Sequence, residues 1–191
     1  LSQCKLFEPY SLELSDSEKE FLVFEIGDHF ELKSETTDEN LVFVVDSIFY
    51  DTLIDGDIVT ETVQGYMEKV TLSAYSDSCY SEGDSCNDFE QSYYSVRLVK
   101  RQQRLDILFK LVLYHTGSHS YYNSGNQILN NDFNIQSIVL NDKTYDDVYV
   151  FDSNLNTQSS DNAIKVYYSK ALGIIKIERL TSGELLFSII D

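Results

Sequence analysis

Val166-Tyr-Tyr-Ser-Lys-Ala-Leu-Gly-Ile-Ile-Lys-Ile-Glu178 decides the fold. Val and two tyrosines before a short polar break, then Ile-Ile-Lys-Ile after it, form two strand-like runs of β-branched and aromatic residues joined by a tight turn. Gly173 is the residue that lets the chain turn with positive φ, and adjacent Tyr167 and Tyr168 place one ring on each face of a strand.

The same grammar extends outward. Ile135 to Leu140, Tyr145 to Phe151 and Leu185 to Ile190 are further runs, with Asn141-Asp-Lys and Thr181-Ser-Gly183 as the turns. Upstream, His29 to Lys33 alternates with period two, and Leu41 to Tyr50 is β-branched and aromatic throughout. Asp55-Gly56-Asp57, between Tyr50 to Ile54 and the run Ile58 to Ala74, signals a hairpin. Phe89 to Val99 and Leu105 to Tyr114 make another, connected by Lys100 to Arg104. Gly117 to Asn134, rich in Asn, Ser, Gly and Tyr, is expected to be the longest loop, with a short helical turn near Gln127 to Asn130. Asn154 to Asn162 is a second polar loop. Ser15-Asp-Ser-Glu18 has the form of a capping box that starts one or two helical turns through Glu20 and Leu22. Residues 5 to 14, with Pro9, form an irregular lead-in. The expectation is an all-β, mostly antiparallel meander with one short N-terminal helix, folded as a sandwich, a barrel or a curved half-barrel. Residues 1–14 are a tether and residues 15–191 a single β-rich domain.

The 191 residues suffice to bury about 70% of the unfolded surface. Fourteen basic against 32 acidic residues give a net charge of -18, a field that repels phosphate backbones and anionic lipid head groups. Nucleic acid is therefore not an expected partner. No run approaches the roughly 20 apolar residues that span a bilayer as a helix.

Cys79 and Cys86, with six residues between them across an acidic Gly-containing segment, span a distance that suits a disulfide-closed loop. Cys4 is then the odd cysteine. Leu1-Ser-Gln-Cys4 resembles a lipobox, with Gln3 in place of the usual small residue. That resemblance implies a removed signal peptide and diacylation of Cys4, whose two chains anchor a protein where one does not.

Leu14 to Asp28 with the strand after it, and Asn141 to Phe151 with Val166 to Glu178 near the other end, resemble small Bacteroidota cell-envelope lipoproteins of unknown function. The likeness covers residues 14–50 and 135–190. It implies a β fold and an extracytoplasmic address, anchored at the outer membrane, and it brings no catalytic residues.

The residues that carry chemistry point to no enzyme class. His115 and His119 are four apart, but Gly117 and the serines between them favour a strand end over a helix face, and His29 is remote, so zinc is not expected. Asp77, Glu82, Asp84, Asp88 and Glu90 offer a Ca²⁺ ion the right oxygen ligands without the EF-hand pattern, but a loop so rich in charge is usually just solvated. Gly-x-Ser-x-Gly elbows and phosphate-cradling loops are absent. Tyrosines such as Tyr66, Tyr75, Tyr93 and Tyr121 could line a binding groove but are more simply read as half-buried sheet residues.

Three functions fit these features. The first is a non-catalytic binding or interaction module that meets a partner through its sheet or through the loops at Ser76 to Asp88 and Gly117 to Asn134. The second is a carrier that holds a lipid or other apolar ligand in a half-barrel. The third is a hydrolase whose site is assembled from residues distant in sequence.

Overall fold

The structure, a computed structural model, describes residues 9–57, 62–76, 92–102, 104–115, 118–129, 133–152 and 164–190. The strands are β1 (Tyr10–Leu12), β2 (His29–Ser34), β3 (Asn40–Asp57), β4 (Thr62–Ser76), β5 (Tyr93–Arg101), β6 (Arg104–His115), β7 (Ser118–Leu129), β8 (Ile135–Leu140), β9 (Lys143–Asp152), β10 (Ile164–Ser169), β11 (Gly173–Arg179) and β12 (Leu185–Ile189), with helix α1 at Asp16–Lys19. They form one sheet in the order β7-β6-β5-β4-β3-β2-β12-β11-β10-β9-β8, antiparallel throughout, with β1 alone parallel, on the edge of β4.

The order is two meanders joined at their first and last strands. β2 to β7 run outward in one direction, β12 back to β8 in the other. The two halves meet where Phe187 pairs with Ser34 and Ile189 with Leu32. The sheet curls until β7 lies against β9 and β10. No ladder joins β7 to β8 among the described residues, so of the three expected forms this is the curved, open half-barrel.

Alternation along the strands supplies the core. Tyr94, Val96 and Leu98 of β5 and Leu105, Ile107, Phe109 and Leu111 of β6 point to the concave side and are almost fully buried. Curling brings Phe109 to 4.9 Å from Phe151 of β9 and 5.2 Å from Tyr168 of β10, ring centre to ring centre. A smaller apolar cluster, comprising Leu140, Tyr145, Val148, Val150, Tyr167 and Ile175, forms on the other face of the C-terminal strands. Tyr168 lies in the first cluster and Tyr167 in the second, as the strand period requires.

The turns follow backbone chemistry. Asn141 and Asp142 both have positive φ, 51° and 61°, the pattern of a type I′ hairpin turn. Gly173 has φ +81°, and a Cβ there would sit 2.6 Å from the Phe24 ring, so glycine is demanded by both conformation and space.

Three expectations need correction. Most of the segment from Gly117 to Asn134 is strand: β7 pairs with β6 residue by residue, from His115 opposite Ser118 to Arg104 opposite Leu129. An edge strand needs one partner only, and twelve bonded positions on β6 outweigh the low intrinsic strand preference of Asn, Ser and Gly. The span Gln127 to Leu129 is therefore extended, not helical. The Asp55-Gly56 pair lies inside the β3–β4 ladder at a register shift, and the hairpin connection falls beyond Asp57. Within the lead-in, Tyr10–Leu12 is not irregular but a strand of the sheet, paired with β4. Helix α1, a single turn of four residues begun by the Ser15–Glu18 capping box, falls within the one or two turns expected and ends at Lys19.

Candidate functional site

β3 and β4 outrun their neighbours. β2 pairs with β3 no further than Val44, and β5 pairs with β4 no further than Lys69. The far ends of the two strands form an arm, supported on the β4 edge, among the described residues, only by β1. Tyr10 lies over Gly65, where an added Cβ would stand 2.3 Å from the ring.

Under this arm, facing α1, is an open groove of about 360 Å³ lined by Leu12, Glu13, Lys19, Tyr50, Tyr66 and Glu68, among others. Thr52 pairs with Glu68 and Ile54 with Tyr66, so Tyr50, Thr52 and Ile54 share one face of the arm with Glu68 and Tyr66. That face belongs to the concave side, but at the arm it has run past the core. Tyr50 is 56% exposed, Ile54 65% and Tyr66 41%. The carboxylate of Glu68 is fixed from the α1 side: one oxygen accepts the Leu14 N–H at 2.7 Å and the other lies 3.2 Å from Lys19 Nζ. On the opposite face of the arm, Lys69 Nζ bonds Asp51 at 2.7 Å and, with the Thr52 N–H, holds that carboxyl below its usual range. The groove thus offers two aromatic rings and the oriented Glu68 carboxylate to a polar, ring-faced or cationic ligand.

Behind the groove, α1 is anchored by its N3 residue. Glu18 Oε2 accepts both the N–H and the hydroxyl of Ser15 at 2.8 Å, so the predicted Glu18 reach-back forms. Its other oxygen pairs with Lys100 of β5. Burial raises the Glu18 carboxyl, but Lys100 and the two Ser15 bonds outweigh it and hold the group below its ordinary value.

A second open cleft, of about 470 Å³, lies where β3 leaves β2 and is lined by Ile26, Gly27, Val44, Val45, Asp46, Tyr75 and Ser76. Ser76 is the residue from which the cysteine segment departs.

The interior is occupied by the chain itself. The segment after α1 crosses the concave face, and Phe21, fully buried, packs 5.0 Å from Tyr149 and 5.3 Å from Phe133. The Tyr168 hydroxyl donates to the Phe21 carbonyl at 2.6 Å. Tyr94, also fully buried, has a hydroxyl with no hydrogen-bond partner among the described residues. Burial raises both phenols.

Cys4, Cys79, Cys86, Asp77, Glu82, Asp84, Asp88 and Glu90 lie outside the described residues. His115 and His119 sit on β6 and β7 beside their connection, His119 opposite Tyr114; their side chains lie outside the described set. His29 opens β2 on another part of the sheet. Among the described residues no group of three or more His, Cys, Asp or Glu is placed to hold a metal ion, and no helix is long and apolar enough to cross a membrane. Sequence reasoning listed Tyr66 only as one of many tyrosines and passed over Tyr50, because nothing local shows that the arm outruns the sheet.

No family model, curated protein or solved structure matches the chain.

Proposed function

We propose that the chain is an extracytoplasmic bacterial lipoprotein, tethered to the outer membrane through Cys4, whose domain is a non-catalytic binding module. The groove under the β3–β4 arm is its binding place. The observation that carries this is the exposure of Tyr50, Ile54 and Tyr66 on one face of an arm that its neighbouring strands leave uncovered. Side chains of this size placed outside the core contribute little to folding, whereas partly exposed aromatic residues are the anchors that recognition sites use.

The carrier alternative draws support from the open half-barrel. Against it stands Phe21, which fills the concave face together with Phe133, Tyr149 and Phe151. An apolar ligand would have to displace that segment.

Two experiments test the proposal. Cys4→Ser moves the protein from the membrane to the soluble fraction if the tether is lipid, and leaves it in place if it is not. A thermal-shift screen against soluble glycans, amines and peptides tests the groove. A ligand that stabilises the wild type but not Tyr50→Ala/Tyr66→Ala places binding there, whereas equal stabilisation of both removes the groove from consideration.

A further inference from the structure

The convex face of the same strands carries a different arrangement. Phe49 of β3 pairs with Thr71 of β4, Thr71 with Arg97 of β5, and Arg97 with Leu108 of β6. Directly paired residues in antiparallel strands point to the same side, so these four stand in one row across the sheet. The neighbouring positions Val70, Leu98 and Ile107 point to the core, which leaves the row facing outward. Phe49 is 62% exposed, Leu108 is 37% exposed, and Arg97 is also exposed. In a chain with 32 acidic residues, Arg97 makes no ion pair among the described residues.

We propose that this face is a self-docking surface, on which a second copy of the chain packs about a two-fold axis running along β4. Neighbouring strands lie about 4.8 Å apart, so β3 and β5 flank β4 at equal distances on opposite sides. A two-fold along β4 therefore lays Phe49 of one copy over Arg97 of the other, and Arg97 over Phe49, with Thr71 on the axis. A guanidinium over a phenyl ring is a cation–π contact, and here the symmetry makes it twice. The adjoining row on one side is Ser47, Ser73 and Ser95, small enough to let two sheets approach to about 10 Å. On the other side Lys69 faces its own copy, with its charge already matched by Asp51.

The charge complementarity is local, while each whole molecule carries -18. Self-association is thus opposed at long range and favoured at contact. Added salt screens the first far more than the second, so the dimer tightens as salt rises, the reverse of an interface held by ion pairs. Four strands give a patch at the small end of specific interfaces, which places the dimer in the weak class.

The test is sedimentation equilibrium on the 191-residue chain, with Cys4→Ser in every sample to exclude intermolecular disulfides, from about 10 µM to about 1 mM, the range a small interface requires. The expected result is a monomer–dimer equilibrium that tightens between low and high salt. Phe49→Ala and Arg97→Ala each weaken it at least about fivefold, since each removes two symmetric contacts. The double variant is little weaker than either single one, because both substitutions delete the same contact. A wild type that stays monomeric at the highest concentration overturns the proposal, as do single variants that dimerise like the wild type. Circular dichroism of these exposed-site variants confirms that they remain folded.

Discussion

The hydroxyl of Tyr168 donates a 2.6 Å hydrogen bond to the carbonyl of Phe21, 147 residues earlier in the chain, and ties the segment after α1 to the floor of the half-barrel. Removing it with Tyr168→Phe leaves a buried carbonyl without its donor. The expected loss is about 1–2 kcal/mol of unfolding free energy, measured by denaturant titration.

Tyr94 supplies the opposite case on the same concave face. Its hydroxyl is buried and has no partner among the described residues, so Tyr94→Phe deletes a desolvated polar group and little else. Stability is expected to hold or rise by about 1 kcal/mol. A clear loss in the same titration refutes this account of the site.

Gly173 and Gly183 separate strain from clash. Both have positive φ, but an added Cβ meets the Phe24 ring at Gly173 and open space at Gly183. Gly183→Ala is expected to cost about 1 kcal/mol, the price of the backbone conformation alone. Gly173→Ala costs more, and the excess disappears in a Phe24→Ala background; the comparison is a double-mutant cycle read by thermal or chemical unfolding.

Glu18 governs part of the acid response. Its folded pKa lies below its ordinary value, so it contributes stability that is fully present above about pH 5 and is lost as pH falls through the folded pKa. Glu18→Gln is less stable than the wild type at neutral pH, and the gap closes on acidification toward about pH 3. Unfolding curves at several pH values check it. A gap that stays constant removes the Lys100 pair as its cause.

Asp147 adopts φ 53° inside β9, at the register shift where Ser137 faces two residues of its partner strand. Asp147→Val forces a β-branched side chain into the left-handed region and is expected to cost about 1–2 kcal/mol, while Asp147→Gly stays within about 0.5 kcal/mol of the wild type. Paired unfolding titrations of the two variants decide it.

What was legible in the sequence is what local chemistry enforces. Gly173, Gly183 and Asn141-Asp142 mark turns because few residues tolerate positive φ, and Ser15 with Glu18 marks a helix start because the carboxylate has one short route back. What was hidden depends on partners. β7 is a strand because β6 offers a full ladder to an edge, and β1 is a strand because Gly65 leaves room for Tyr10. Asp55-Gly56, a strong turn signal, is absorbed into the ladder because β3 and β4 continue to pair past it. The groove was hidden for a related reason. Its walls come from three separated segments, and the exposure of Tyr50 and Tyr66 follows from where β2 and β5 stop.

The seam between β2 and β12 bears on how the chain acquires this sheet. Every ladder in the row except that one joins strands that are neighbours in sequence, so each half zips by short loop closures. The seam alone couples Leu32 to Ile189 and waits for the far end of the C-terminal half to be made. On a ribosome, the first half can complete its hairpins while the edge of β2 stays bare. Until β12 emerges, that bare edge is the nascent chain's exposure to wrong pairing, and β12 is what ends it.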